Sequence, residues 1–148
     1  MKIDKYEIKV FISQPMTKPD KEDVLKLREK TKECIINNRE LVASLLNIDA
    51  DDTSIDIKFV STYERIAPEY APRLYYLGEA IKDLGETDVV VFCDGWENAR
   101  GCIVEKAAVD TFKIPYIVTN LFNNEVTIIH LVKYTKGGNL WKQRIINK

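Results

Sequence analysis

The sequence predicts an α/β fold, a three-layer sandwich in which helices cover both faces of a mainly parallel sheet of about four or five strands. Three observations carry that expectation. Asp88 to Cys93 (DVVVFC) is apolar without alternation, the pattern of a strand buried on both faces. Segments of strand character alternate with segments of helical period, giving a βαβαβαβ order. The length of 148 residues suits one domain, residues 1–148, better than two separate cores.

Taken in order, Tyr6 to Ser13 (YEIKVFIS) starts as alternation and ends as an apolar run, so it is read as a strand entering a buried sheet. Gln14-Pro15 ends it, because proline lacks a donor and turns its predecessor away from helix. Asp20 to Asn47 is expected to form one long helix, with Val24, Leu27, Thr31, Cys34, Ile35, Asn38, Leu41, Val42 and Leu45 on one face and Asp20 as its cap. A polar turn, Asp49 to Ser54, leads into a second strand, Ile55 to Ser61. A loop from Thr62 to Ala71 precedes a helix carrying Leu74, Leu77, Ile81 and Leu84 and closing near Gly85. After the Asp88 to Cys93 strand and a loop from Asp94 to Asn98, a third helix runs to about Thr111. Ile114 to Thr119 and Val126 to His130 read as the fourth and fifth strands. Lys136-Gly137-Gly138-Asn139 then turns the chain into a tail expected to end in a helix.

Composition narrows the function classes. Hydrophobic content of 45% and charged content of 30% exclude wholesale disorder. No apolar run reaches the roughly 18 residues of a membrane span, and Met1 to Lys9 lacks a signal peptide's apolar stretch, so a cytoplasmic location is expected. A net charge of −1 argues against a protein built mainly to hold nucleic acid. The charge is uneven: no acid follows Glu125, whereas Lys133, Lys136, Lys142, Arg144 and Lys148 make residues 131–148 a basic extension. Three cysteines without a CxxC pair and a single histidine, His130, do not form a metal-ligand pattern.

Ligands on open parallel sheets bind at the carboxyl ends of the strands, where the strand order reverses. In a flavodoxin-like order, 2-1-3-4-5, that crevice lies between the first and third strands. Two loops then face it, Ser13 to Pro19 and Asp94 to Gly101. Ser13, Gln14 and Pro15 either offer polar groups to a sugar or phosphate or simply end the strand. Asn98 either caps the following helix or faces the crevice. Arg100 opposes the helix dipole, so it pairs with Asp94 or Glu97 or meets an anion at the helix N-terminus. Trp96 either stacks on a planar base or forms a hydrophobic lid or subunit contact. Glu105, one turn into the helix, is either solvated or functional. Tyr63, Tyr75 and Tyr76 line a pocket or fill core and interface. No GxGxxG, Walker or nucleophile-elbow motif is present.

The segments Val10-Phe11-Ile12-Ser13-Gln14-Pro15-Met16, Tyr76-Leu77-Gly78, Asp88-Val89-Val90-Val91-Phe92 and Gly95-Trp96-Glu97-Asn98-Ala99-Arg100-Gly101-Cys102-Ile103-Val104-Glu105 together resemble a known group. It is the nucleoside 2-deoxyribosyltransferase-like superfamily, in particular small phage and bacterial proteins carrying the GWENARGC segment. More distantly the chain is similar to the 2′-deoxynucleoside 5′-monophosphate N-glycosidases. The resemblance, over roughly residues 8–119, implies a flavodoxin-like sheet and attack on C1′ by a glutamate at the position of Glu105, with Gly101 matching a glycine one turn earlier. Where those enzymes carry a further glycine this chain has Ile103, and where they carry acids it has Ala80 and Ala99, with Glu79, Glu97 and Asp94 nearby in sequence.

Three functions are therefore weighed. One is an N-glycosidase or deoxyribosyltransferase acting on a nucleoside or nucleotide, with Glu105 as nucleophile and Ser13, Gln14, Pro15, Asp94, Trp96, Asn98, Arg100 and Gly101 around the substrate. Neither metal nor cofactor is called for. The alternative is a non-catalytic protein that binds or sequesters a nucleotide in the same pocket; a structural, partner-binding role is a third. The resemblance also implies a homo-oligomer.

Overall fold

Strand β1 (Tyr6–Ser13) runs between β2 (Ile55–Val60) and β3 (Val89–Phe92), parallel to both. In this computed structural model the described residues are 5–15, 21–60, 73–134 and 140–144. Beyond β3 lie β4 (Tyr116–Phe122), parallel to it, and then β5 (Glu125–Tyr134) and β6 (Leu140–Arg144), each antiparallel to its neighbour. The order is β2-β1-β3-β4-β5-β6. Its first five strands follow the expected flavodoxin-like order, and the sixth extends the sheet by one.

Alternation along the central strands divides the core in two. Ile8, Val10, Ile12, Val89, Val91, Cys93 and Ile117 point to one face, against Leu27 and Ile35 of α1 (Lys21–Asn37) and Val42 and Ala43 of α2 (Arg39–Ser44). Phe11, Val90, Phe92 and Tyr116 point to the other, against Ala80 and Leu84 of α3 (Arg73–Leu84) and Val109 of α4 (Arg100–Phe112). All four β3 side chains are buried, which accounts for the run of valines without alternation. In β5 the register slips between Val118 and Thr119, leaving Ile129 as an extra residue. The bulge lets Ile128 and Leu131, an odd number of residues apart, share the α1 side of the core.

The expected single helix over Asp20 to Asn47 is two. Asn38 donates from Nδ2 to the carbonyl oxygen of Cys34 at 2.7 Å, and its backbone N–H turns to Ile35 instead. The side chain thus takes the acceptor that the next helical hydrogen bond requires, and Asn38 adopts φ −118° with ψ 30°. Asn47, at φ 59°, then ends the segment in the left-handed conformation that asparagine tolerates. A second correction concerns the tail. Residues 140–144 form no helix; they pair as β6 along β5, from Leu140 opposite Tyr134 to Arg144 opposite His130. The fourth and fifth strands also run longer than expected, joined by a two-residue turn. Asn123 (φ 51°) and Asn124 (φ 63°) both have the positive φ that a type I′ hairpin demands.

The Asp20 cap, the connection through Tyr63 and the Lys136–Asn139 turn lie outside the described residues. No helix among the described residues is long and apolar enough to cross a membrane.

Ile117, fully buried where β4 meets the α1 side, tests this core. Ile117→Ala should lower the unfolding free energy by about 2–5 kcal/mol in urea titrations. A loss below about 1 kcal/mol would contradict the packing.

Candidate functional site at the β1–β3 crevice

The chain passes from β1 to one side and from β3 to the other, so their carboxyl ends open the crevice at the point of reversal. There the Cys93 N–H donates to the Ser13 carbonyl at 2.9 Å, fastening the two strand ends together. The loops beyond them also meet. Gly95 sits at φ 86°, in the left-handed region that favours glycine, and a β-carbon on it would lie 3.6 Å from Cγ of Pro15.

Ser13 follows the alternation of Phe11 and so points toward α4. Cys102, Glu105 and Val109 form the buried stripe of that helix. The Ser13 hydroxyl donates to Oε1 of Glu105 at 2.7 Å, joining residues 92 positions apart. Glu105 is 7% exposed, which rejects the solvated alternative. Burial pushes its carboxyl up to about 7, against an ordinary value of 4.5, and the Ser13 hydrogen bond draws it partway back. The group therefore exchanges its proton near neutrality. The thiols of Cys102 and Cys93 behave differently: burial pushes each up to about 11, so both are thiols rather than thiolates at neutral pH.

The remaining expected site residues divide. Gln14 is buried and donates from Nε2 to the Val24 carbonyl at 2.7 Å, tying the strand exit to α1. Its Oε1 is buried without a hydrogen-bond partner. Pro15 is buried beside Gly95. Trp96 turns onto the core: its ring lies 5.4 Å from that of Phe92, and the Lys106 ammonium sits 5.5 Å from it and 4.7 Å from the Tyr116 ring. Asn98 is exposed and does not cap α4; the cap position is Ala99, which has no side-chain hydrogen bond to offer. Arg100 is exposed at the first position of α4, and no ion pair with Asp94 or Glu97 forms among the described residues. Gly101 is exposed too, and a β-carbon there would meet nothing within 4 Å. Asp94 and Glu97 are exposed, while Ala80 and Ala99 are buried. Tyr75 and Tyr76 are half-exposed, edge to face with each other at 5.8 Å.

Cys102 and Gly95 belong to this site although sequence reasoning assigned neither of them a role of its own. The Asp94-Gly95 dipeptide was a legible turn signal. The thiol gave none, since a buried cysteine is ordinarily core. A separate depression of about 410 Å³, lined by Glu40, Ser44, Asn47, Ile48, Asp49 and Ala50, lies before β2 and so at the opposite end of the sheet. Among the described residues no cluster of three or more His, Cys, Asp and Glu side chains stands ready for a metal.

Comparison with known proteins finds no matching family model, no matching curated protein and no matching solved structure.

Raising a carboxyl from 4.5 to about 7 means that its ionised form weakens the fold. Stability is undiminished below about 4.5, falls as pH rises toward 7 and levels off above it, a total of roughly 3 kcal/mol. Glu105→Gln, which keeps an acceptor for Ser13, should therefore raise Tm at pH 8 and leave it nearly unchanged at pH 4. Equal effects at both pH values would contradict the assigned proton affinity. Ser13→Ala removes the donor, so the Glu105 titration followed by carbon NMR should move above that of wild type.

Proposed function

We propose that this chain cleaves or transfers at the N-glycosidic bond of a (deoxy)nucleoside or its 5′-monophosphate, with Glu105 as the nucleophile. One observation carries the reading: a buried carboxylate held by Ser13 at the carboxyl ends of β1 and β3, where sheets of this order receive their ligands. The hydrogen bond to Oε1 fixes the carboxylate and leaves Oε2 to approach C1′. Attack there expels the base and forms a glycosyl ester, which water or a second base resolves. Burial serves the attack because a poorly solvated carboxylate loses little hydration on reaching carbon. The cost is that part of the protein holds Glu105 protonated and inactive at neutral pH.

Around that centre, the loop from Ser13 to Pro15 and the open first turn at Gly101 are assigned to the sugar. Arg100 is assigned to a 5′-phosphate, which suits an exposed guanidinium at a helix N-terminus. Asp94 and Asn98, both exposed beside it, border the same opening. No metal or redox cofactor enters this chemistry. The location that goes with it is the cytoplasm.

A non-catalytic, nucleotide-binding function is favoured instead by Ala80 and Ala99. Both are buried alanines at positions where the enzymes this sequence resembles carry acids. The two readings separate on turnover. Purified protein is incubated with deoxynucleosides and their 5′-monophosphates, with and without acceptor bases, and free base is followed by chromatography. Release by wild type and none by Glu105→Ala is expected. Binding without release by wild type would establish the second reading. For the enzyme, kcat/KM should rise about tenfold per pH unit below 7 and flatten above it, following the ionised fraction of Glu105.

The same reading carries a homo-oligomer. Leu74 (77% exposed), Tyr75, Tyr76 and Ile81 of α3 and Ile103 and Val104 of α4 are exposed apolar side chains on one side of the sheet. Sedimentation equilibrium should return a multiple of the chain mass; a single chain's mass would refute it.

A further inference from the structure

Glu105 has one hydrogen-bonding partner among the described residues, and it is neutral: the Ser13 hydroxyl. Burial and that hydroxyl govern its proton affinity, and no described lysine or arginine contributes to it. The nearest cations by sequence are engaged or turned outward. Lys106 lies over the Trp96 and Tyr116 rings and pairs with Asp110 at 2.7 Å, and Arg100 is exposed. A buried carboxylate with no counter-charge among the described residues is best compensated by a ligand that brings positive charge to it.

The surroundings point the same way. Among the described residues, the titratable group closest in the stripe is the Cys102 thiol, a poor proton donor, and the side chain just ahead of α4 is the buried Ala99. A neutral base must be protonated as it departs. A base that already carries positive charge leaves as a neutral molecule and needs no proton.

We infer that the substrate of the Glu105–Ser13 site is an N-glycoside whose base is cationic, of the N-ribosylpyridinium or N7-alkylpurine class. This rests on the glycosidic reading above. Oε2 of Glu105 forms a bond to C1′ while the C1′–N bond breaks, and its electron pair discharges the ring nitrogen. Water then bonds to C1′ as the C1′–Oε2 bond breaks. That pair returns to the carboxylate, and one proton of the water passes to solvent.

Matched pairs isolate the charge. Guanosine and 7-methylguanosine differ by one methyl group and one positive charge, and each is supplied as ribo- and 2′-deoxynucleoside, with and without 5′-phosphate. Free base is measured against protein-free controls, with Glu105→Gln in parallel. The cationic member should be cleaved at least about 100-fold faster, the lower end of what a general acid contributes, and the variant should lose that release. As a measurement independent of turnover, 1-methylnicotinamide should bind wild type at least about tenfold more tightly than nicotinamide, and the preference should vanish in Glu105→Gln. Release from guanosine at an equal or greater rate would overturn this inference and leave the glycosidic reading standing. Release from no substrate would overturn both.

Discussion

The pairing of β1 with β3 is the constraint on which the rest of the structure depends. Because the chain leaves β1 for one side and returns to build the other, two strand ends stand side by side with their connections diverging. Everything in the site is hung from that pair of ends. Ser13 is the last residue of β1, Cys93 follows β3, and one backbone hydrogen bond holds them at a common level. Alternation then decides which chemistry goes where: Ser13 falls on the α4 side with Glu105, and Gln14 falls on the α1 side with Val24. A register shift of one residue would exchange these two environments.

Glu105 sits where burial and charge conflict. A carboxylate withdrawn from water costs stability when ionised, and the single donor from Ser13 offsets only part of that cost. Folding tolerates it because the cores on the two faces of the sheet supply a larger opposing term, with Val89, Val90, Val91 and Phe92 of β3 all fully buried. Local weakness purchased by distant packing is a familiar property of functional sites.

Much of the fold was legible because it follows from periodicity. The DVVVFC run announced a doubly covered strand, and the alternating order of elements fixed a parallel sheet. What escaped depended on a single side chain's choice between two partners. Asn38 fits the apolar stripe by spacing, yet its amide competes with the backbone and breaks the helix. Asn123-Asn124 fell between the two expected strands, and two adjacent positive φ angles make it a hairpin turn. Residues 140–144 lack a strong period, and only pairing with β5 makes them a strand. At the site, the nearness of Ser13 to Glu105 was beyond periodicity altogether. Their contact spans most of the chain and exists only once β1, β3 and α4 are assembled. The resemblance selected Glu105, while its burial is a property of the assembled core.

The broken helical segment near the start of the chain has a further consequence, for how the protein is made. Its second half, α2, packs on β2, while its first half, α1, packs on β5 near the far side of the sheet. Lys30 of α1 donates to the carbonyl of Asn124, in the turn that opens β5. The two halves therefore wait on different events during synthesis. α2 finds its partner as soon as β2 emerges from the ribosome, but α1 keeps part of its apolar stripe uncovered until the β4–β5 hairpin is complete. A nascent chain stopped after β4 would hold Glu105 and its crevice strands, yet it would still lack the part of the first helix's seat that β5 supplies.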